Sequence, residues 1–193
     1  MFIQTESTPN PAVLKFLPGQ SVLAEGAGVR EFNDAAAASA SPLAGALFRI
    51  EGVRRVFLAR EFLTVSKAED ADWAYMKAPI LAAIMDHYTS GAAAAESPGE
   101  DEASAEDEDV YDAASADIVR EIKDLLDTRI RPAVAQDGGD ILFSKFEPQT
   151  GVVWLHMRGA CAGCPSSAAT LKAGVENLMR HYIPEVTAVE QVL

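Results

Sequence analysis

The chain has 193 residues, 49% of them apolar, which is enough for one or two packed cores and too apolar for a wholly disordered chain. Nearly all of its net charge of −13 falls in one stretch: residues 1–90 hold eight basic and ten acidic side chains, 91–117 none and ten, and 118–193 eight and nine. Neither flank carries a basic stripe for nucleic acid, no run of about 18 apolar residues offers a membrane span, and two cysteines three residues apart cannot build a disulfide framework.

The amino terminus, Met1-Phe-Ile-Gln-Thr-Glu-Ser-Thr-Pro-Asn10, lacks the basic and apolar regions of a signal or transit peptide. Together with the cysteine usage this predicts a cytoplasmic protein. Thr8-Pro-Asn-Pro11 supplies turn chemistry ahead of a short strand at Val13–Leu17. Pro42–Phe48 reads as a short helix, and Val53–Leu58 and Phe62–Ser66 as two strands joined across Ala59-Arg60-Glu61. Arg54 and Arg55 fit a solvated strand face. Trp73, Met76, Ile80, Leu81, Ile84, Met85 and Tyr88 then recur at helical spacing with Gly91 just beyond, which predicts a core-facing helix. Residues 91–116 have no hydrophobic period and repel themselves, so they are expected to be an extended, disordered acidic linker. The expected fold class is α+β: two small α+β domains, 1–90 and 117–193, joined by that flexible linker.

In the second domain Asp117 is placed to cap a helix bearing Ile118, Ile122, Leu125, Leu126 and Ile130. That helix should restart or kink at Pro132 and end by Gly138-Gly139. Ile141–Phe146 and Val152–Met157 form a hairpin around Pro148–Gly151, and Val186–Leu193 closes the domain. Asp137-Gly-Gly-Asp140 is too short for a phosphate-binding loop and lacks its Lys-Ser/Thr, so it reads as a tight helix-to-strand turn. The three histidines read as structural; His87 and His181 sit near helix carboxyl ends, where partial negative charge favours an imidazole, and His156 alternates with Trp154 and Arg158 on a strand.

The chemistry lies in Arg158-Gly-Ala-Cys-Ala-Gly-Cys-Pro-Ser-Ser167, which contains Cys161 and Cys164. A tetrahedral thiolate site, for zinc or for an iron–sulfur cluster, wants four sulfurs, so this chain supplies half a site and a second molecule the rest. Pro165 opens a stretch, Ser166 to Tyr182, in which Ala168, Leu171, Val175, Leu178, Met179 and Tyr182 recur at helical spacing; this places Cys164 near the helix cap. Unpaired N–H groups and partial positive charge there lower a thiol pKa. Gly159 and Gly163 let the loop bend so that backbone N–H groups turn toward sulfur. The motif alone admits an iron–sulfur site, half a zinc site, a thiol–disulfide redox pair or two inert thiols. The redox reading is weakened because thioredoxin-like sites usually place proline between the cysteines, where this chain has Ala162 and Gly163.

With Arg131-Pro-Ala-Val-Ala-Gln-Asp-Gly-Gly-Asp140, two strands and then Gly159-Ala-Cys-Ala-Gly-Cys-Pro-Ser-Ser167, the carboxyl half closely resembles the NifU-like carboxyl-terminal domain. The amino half, with Met1-Phe-Ile-Gln-Thr, Thr8-Pro-Asn-Pro11, Leu14-Lys-Phe16 and Ser41-Pro-Leu to Phe48-Arg-Ile-Glu-Gly-Val53, resembles the amino-terminal domain of Nfu-type proteins. The resemblance implies a scaffold or carrier, not an enzyme, that binds a 4Fe-4S cluster between two chains and passes it to recipient apoproteins. Cys161 and Cys164 match the family's ligand positions, which implies a cluster-bridged homodimer. Its thiolates would lie near the surface, where ligand exchange is easy, and its partners would be recipient apoproteins and upstream assembly proteins. No nucleic acid or membrane partner is implied. The amino domain would then select or dock recipients. The acidic tether is longer than the family leads one to expect.

Overall fold

The structure, a computed structural model, describes residues 2–91, 111–162 and 165–192, and of residues 165–168 the backbone only. It divides into two compact units, Met1–Asp101 and Glu102–Leu193. Each combines strands and helices, so the α+β class stands. The expected disordered linker falls mostly at 92–110, outside the described residues.

In the first unit β1 (Gln4–Ser7), β2 (Val13–Leu17), β3 (Arg30–Phe32), β4 (Val53–Leu58) and β5 (Leu63–Lys67) form an antiparallel sheet in the order β1-β2-β5-β4-β3. The sequence shows the three central strands but not β1 and β3. Gln4-Thr-Glu-Ser7 buries no residue, and Arg30-Glu-Phe32 is too short for a period to register. Polar, short edges of this kind discourage pairing with another chain. Between β1 and β2 the Thr8 hydroxyl donates to the carbonyls of Asn10 and Val13, and the Asn10 side chain accepts from Ala12 N at 3.0 Å.

Helices α1 (Pro42–Phe48) and α2 (Trp73–Ser90) pack their apolar faces on this sheet, Leu43, Leu47, Ile80 and Ile84 meeting Phe16, Val56 and Leu63 in one core. Burying each such side chain contributes about 1.5–3 kcal/mol. Ser41 caps α1 by accepting from Ala44 N, Asp72 caps α2 by accepting from Ala74 N, and Gly91, with φ +68°, ends α2 in the left-handed conformation. The Trp73 indole donates to the Pro11 carbonyl at 3.1 Å, tying α2 to the first turn.

The stripe on α2 differs from the expected one in one register step. Met76, Ile80, Ile84 and His87 are buried, while Met85 is 44% exposed. Positions 76, 80, 84 and 87 advance by four, four and three, which keeps to one face of a 3.6-residue helix, and position 85 rotates off it. His87 therefore occupies a core position. Burial lowers its pKa, and this outweighs the favourable charge of the helix end on which the sequence-based expectation rested.

The pH dependence follows in sign. An imidazole held neutral by the fold leaves stability complete above its unfolded value of about 6.5 and costs stability as pH falls from there toward the lower folded value, because the unfolded chain takes the proton first. His156 in the second unit is shifted the same way, by burial and by Arg158. His87→Gln is expected to flatten part of the fall in urea midpoint between about pH 6.5 and 5, with His156→Gln as the control for the other unit. A slope unchanged in His87→Gln would contradict the assignment.

In the second unit α3 (Ala113–Leu125) starts four residues before the Asp117 cap that the sequence suggested. Asp112 is the cap: its side chain accepts from Ser115 N at 2.8 Å, which lowers its pKa, and Ser115 is buried. The run Asp112-Ala-Ala-Ser115 carries no apolar stripe, so periodicity alone begins the helix too late. The Tyr111 hydroxyl accepts from Phe146 N at 3.0 Å, which fastens the entry of this helix to the sheet.

After Leu125 the helix widens into a π turn, Leu126–Ile130, and resumes as α4 (Arg131–Gln136) with Pro132 in its first turn. Proline has no N–H for the carbonyl four residues back, and widening the turn relieves the clash with its ring. The kink expected at Pro132 thus takes the form of a π turn just ahead of it. β6 (Gly139–Glu147) and β7 (Val152–Gly159) form the hairpin, α5 (Pro165–Tyr182) crosses over, and β8 (Ala188–Gln191) returns parallel to β7, giving the order β6-β7-β8. Val153, Leu155 and Met157 alternate inward along β7 to meet Ile122 and Leu126 from the helical run and Val175 and Met179 from α5.

Candidate metal centre

The site is built where the end of α4, the start of β6 and the end of β7 meet. Asp137 closes α4, and Gly138 takes φ +82°, a conformation that a side chain strains. Its carbonyl accepts from Ala160 N at 3.1 Å. Gly139 lies opposite Gly159 in the β6–β7 register, and Ala162 N donates to the Gly159 carbonyl. A Cβ on Gly139 would run into the Sγ of Cys161 and stand 2.8 Å from the Arg158 carbonyl. The cysteine therefore rests directly on the backbone of the Gly-Gly turn. The expected tight helix-to-strand turn is present, and Gly139 has the added task of making room for sulfur.

Cys161 is only 5% exposed and belongs to the core of the second unit. This corrects the expectation of a ligand displayed at the surface: the loop follows β7, and the close fit of Gly139 draws the side chain inward. Cys164 lies outside the described residues. α5 begins at Pro165, as the first-turn proline predicts. Along α5 Val175 and Met179 are buried, Leu171 and Leu178 pack on the core, and Tyr182 lies out at the end of the stripe, 45% exposed, where it accepts a hydrogen bond from Arg129.

Two residues without an expected role frame the turn. The Asp140 carboxylate, 5% exposed as a residue, accepts from Arg131 Nε and Nη2 at 2.9 Å each and from its neighbour Ile141 N. Arg131 also donates from Nη1 to Asp127 at 2.8 Å, and these carboxylates raise its pKa beyond the ordinary guanidinium value. The signal was present in the sequence as an arginine nine residues ahead of an aspartate across Gly-Gly, but pairing across a turn has no period to reveal it. Among the described residues no three His, Cys, Asp or Glu side chains are grouped to hold a metal ion. His156 is half-buried on β7, and His181 packs edge-on against Tyr182.

Residues 3–91 match the family model for the Nfu/NifU scaffold protein N-terminal domain, and residues 122–190 that for the NifU-like domain. The chain belongs to the Nfu/NifU family. NifU-like protein 4, mitochondrial, from Arabidopsis thaliana is 48% identical over 199 residues, covering 99% of this chain and 66% of that protein. The NFU1 iron-sulfur cluster scaffold homolog, mitochondrial, from Drosophila persimilis is 50% identical over 194 residues, covering 100% of this chain and 65% of that protein. The Nfu/NifU chain described here thus spans 65–66% of the length of these two relatives. A solution structure of a NifU-like protein from Saccharomyces cerevisiae superposes with a TM-score of 0.46 at 25% identity over 50% of this chain and 85% of that one, too loosely to add to the argument. Both sequence relatives are named as mitochondrial proteins, which overturns the cytoplasmic expectation. A shortage of cysteines says only that no oxidising compartment is required, and the composition of ten residues does not report an address.

Proposed function

We propose that this Nfu/NifU chain is an iron–sulfur cluster carrier rather than an enzyme, and that Cys161 and Cys164 of two copies hold one 4Fe-4S cluster as cargo. The observation that supports it most is the donor inventory. The chain has two thiols, one of them seated on a glycine turn, and no alternative cluster of ligating side chains among the described residues. The scaffold function in the names of the relatives points the same way.

In this reading Cys161 turns off the Gly139 backbone to bind and gives up its proton, as each thiol must to become a ligand. Gly159, at φ +66°, supplies the hinge for that turn. Delivery proceeds as each thiolate is exchanged for a thiolate of the recipient, so the cluster is never without four ligands. A ligand that spends its empty state in the core is also guarded from oxidation. The first unit docks recipients or upstream assembly proteins; among its described residues no group of ligating side chains is assembled that could hold a metal.

Anaerobic reconstitution with iron and sulfide tests the reading. The expected product is coloured and holds about four irons and four sulfides per two chains. A colourless protein that takes up zinc alone, or one that reduces a model disulfide as a single chain, would overturn it.

A further inference from the structure

Arg131 and Asp140 lie on either side of the turn that seats Cys161. Their two 2.9 Å hydrogen bonds use both carboxylate oxygens, so the pair fixes orientation as well as distance. The pair closes the segment from the start of α4 to the second residue of β6, and the residue inside that closure, Gly139, is the one against Cys161 Sγ. Asp140 stands opposite Arg158 in the β6–β7 register, and the Arg158 carbonyl is the other group facing Gly139. A buried carboxylate without its partner would move toward water and take Gly139 with it.

We propose that Arg131 and Asp140 are positioning residues for the Cys161 ligand, holding the glycine turn at the height that seats the thiol. The proposal rests on the cluster-carrier reading. Arg131 acts through Asp140 and touches no cluster itself. Asp127, which is exposed, steadies the guanidinium but does not bound the turn.

The test uses the full cluster-free chain and iodoacetamide, with each cysteine followed by mass spectrometry, because a buried thiol is alkylated only when its seat opens. Asp140→Asn and Arg131→Lys are each expected to speed alkylation of Cys161 about tenfold while changing Cys164 less than about twofold. Lysine keeps the charge but lacks the planar fork, so a purely coulombic role would be rescued by it and this one is not. Asp127→Asn should resemble the parent. After reconstitution, a chelator should strip iron faster from the first two variants.

Parent rates in both variants would overturn the proposal. So would Cys161 and Cys164 accelerating together in step with a fall in global stability, which is what a merely structural pair predicts. If the alkylation pattern holds but the parent chain takes up no iron, the carrier reading fails and the positioning of Cys161 stands.

Discussion

Replacing Cys161 or Cys164 by serine is expected to abolish stable uptake of iron and sulfide while leaving both units folded. In the proposed site shared by two identical chains each substitution would remove two of the four thiolates, and a hydroxyl is a poor ligand for iron in such a cluster. The cost to the fold is small by comparison. At Cys161 it amounts to about 1–2 kcal/mol for a hydroxyl placed in a buried seat, against a second-unit core carried by Ile122, Leu155, Met179 and their neighbours. Elemental analysis and circular dichroism on the same sample check both halves of the expectation. Full loading of either variant would remove that cysteine from the ligand set.

Gly139→Ala is expected to be far more damaging than an alanine at an ordinary strand position. The added methyl meets Cys161 Sγ and the Arg158 carbonyl. The sulfur could swing away, but the carbonyl belongs to β7 and is held by the hairpin register. Overpacking of this kind costs about 2–3 kcal/mol. The second unit should therefore lose urea midpoint, and Cys161 should be forced out of its seat. A midpoint equal to that of the parent would show that the turn has slack, and with it that the glycine platform does not constrain the cysteine.

Most of this fold is written in short-range signals. The central strands of the first sheet, the hairpin of the second and all the long helices announce themselves through apolar periods of two or 3.6, and Pro165 marks the start of α5. What escaped the sequence lacked such a period. β1 is polar because it is an edge, α3 begins on a polar capped turn at Asp112, and His87 counts as polar by type although its position on the helix is a core one. The site divides in the same way. The Cys-x-x-Cys spacing is legible at once, whereas the close approach of Cys161 to Gly139 and the salt link between Arg131 and Asp140 on either side of that turn are contacts that only the folded turn brings together. The sequence suggested an exposed ligand loop because a carrier's thiolates must be reachable. In the single chain, packing against the turn prevails.

In the proposed carrier, cargo and association are one equilibrium: a cluster that needs four thiolates would bind only a pair of these chains, and so draw them together. Anaerobic sedimentation with iron and sulfide analysis on the same fractions tests it most directly. The expected result is a loaded species of twice the chain mass holding one 4Fe-4S cluster, which returns to the 20.6 kDa chain when a chelator removes the iron. A loaded single chain carrying four irons, with no added thiol present, would contradict it.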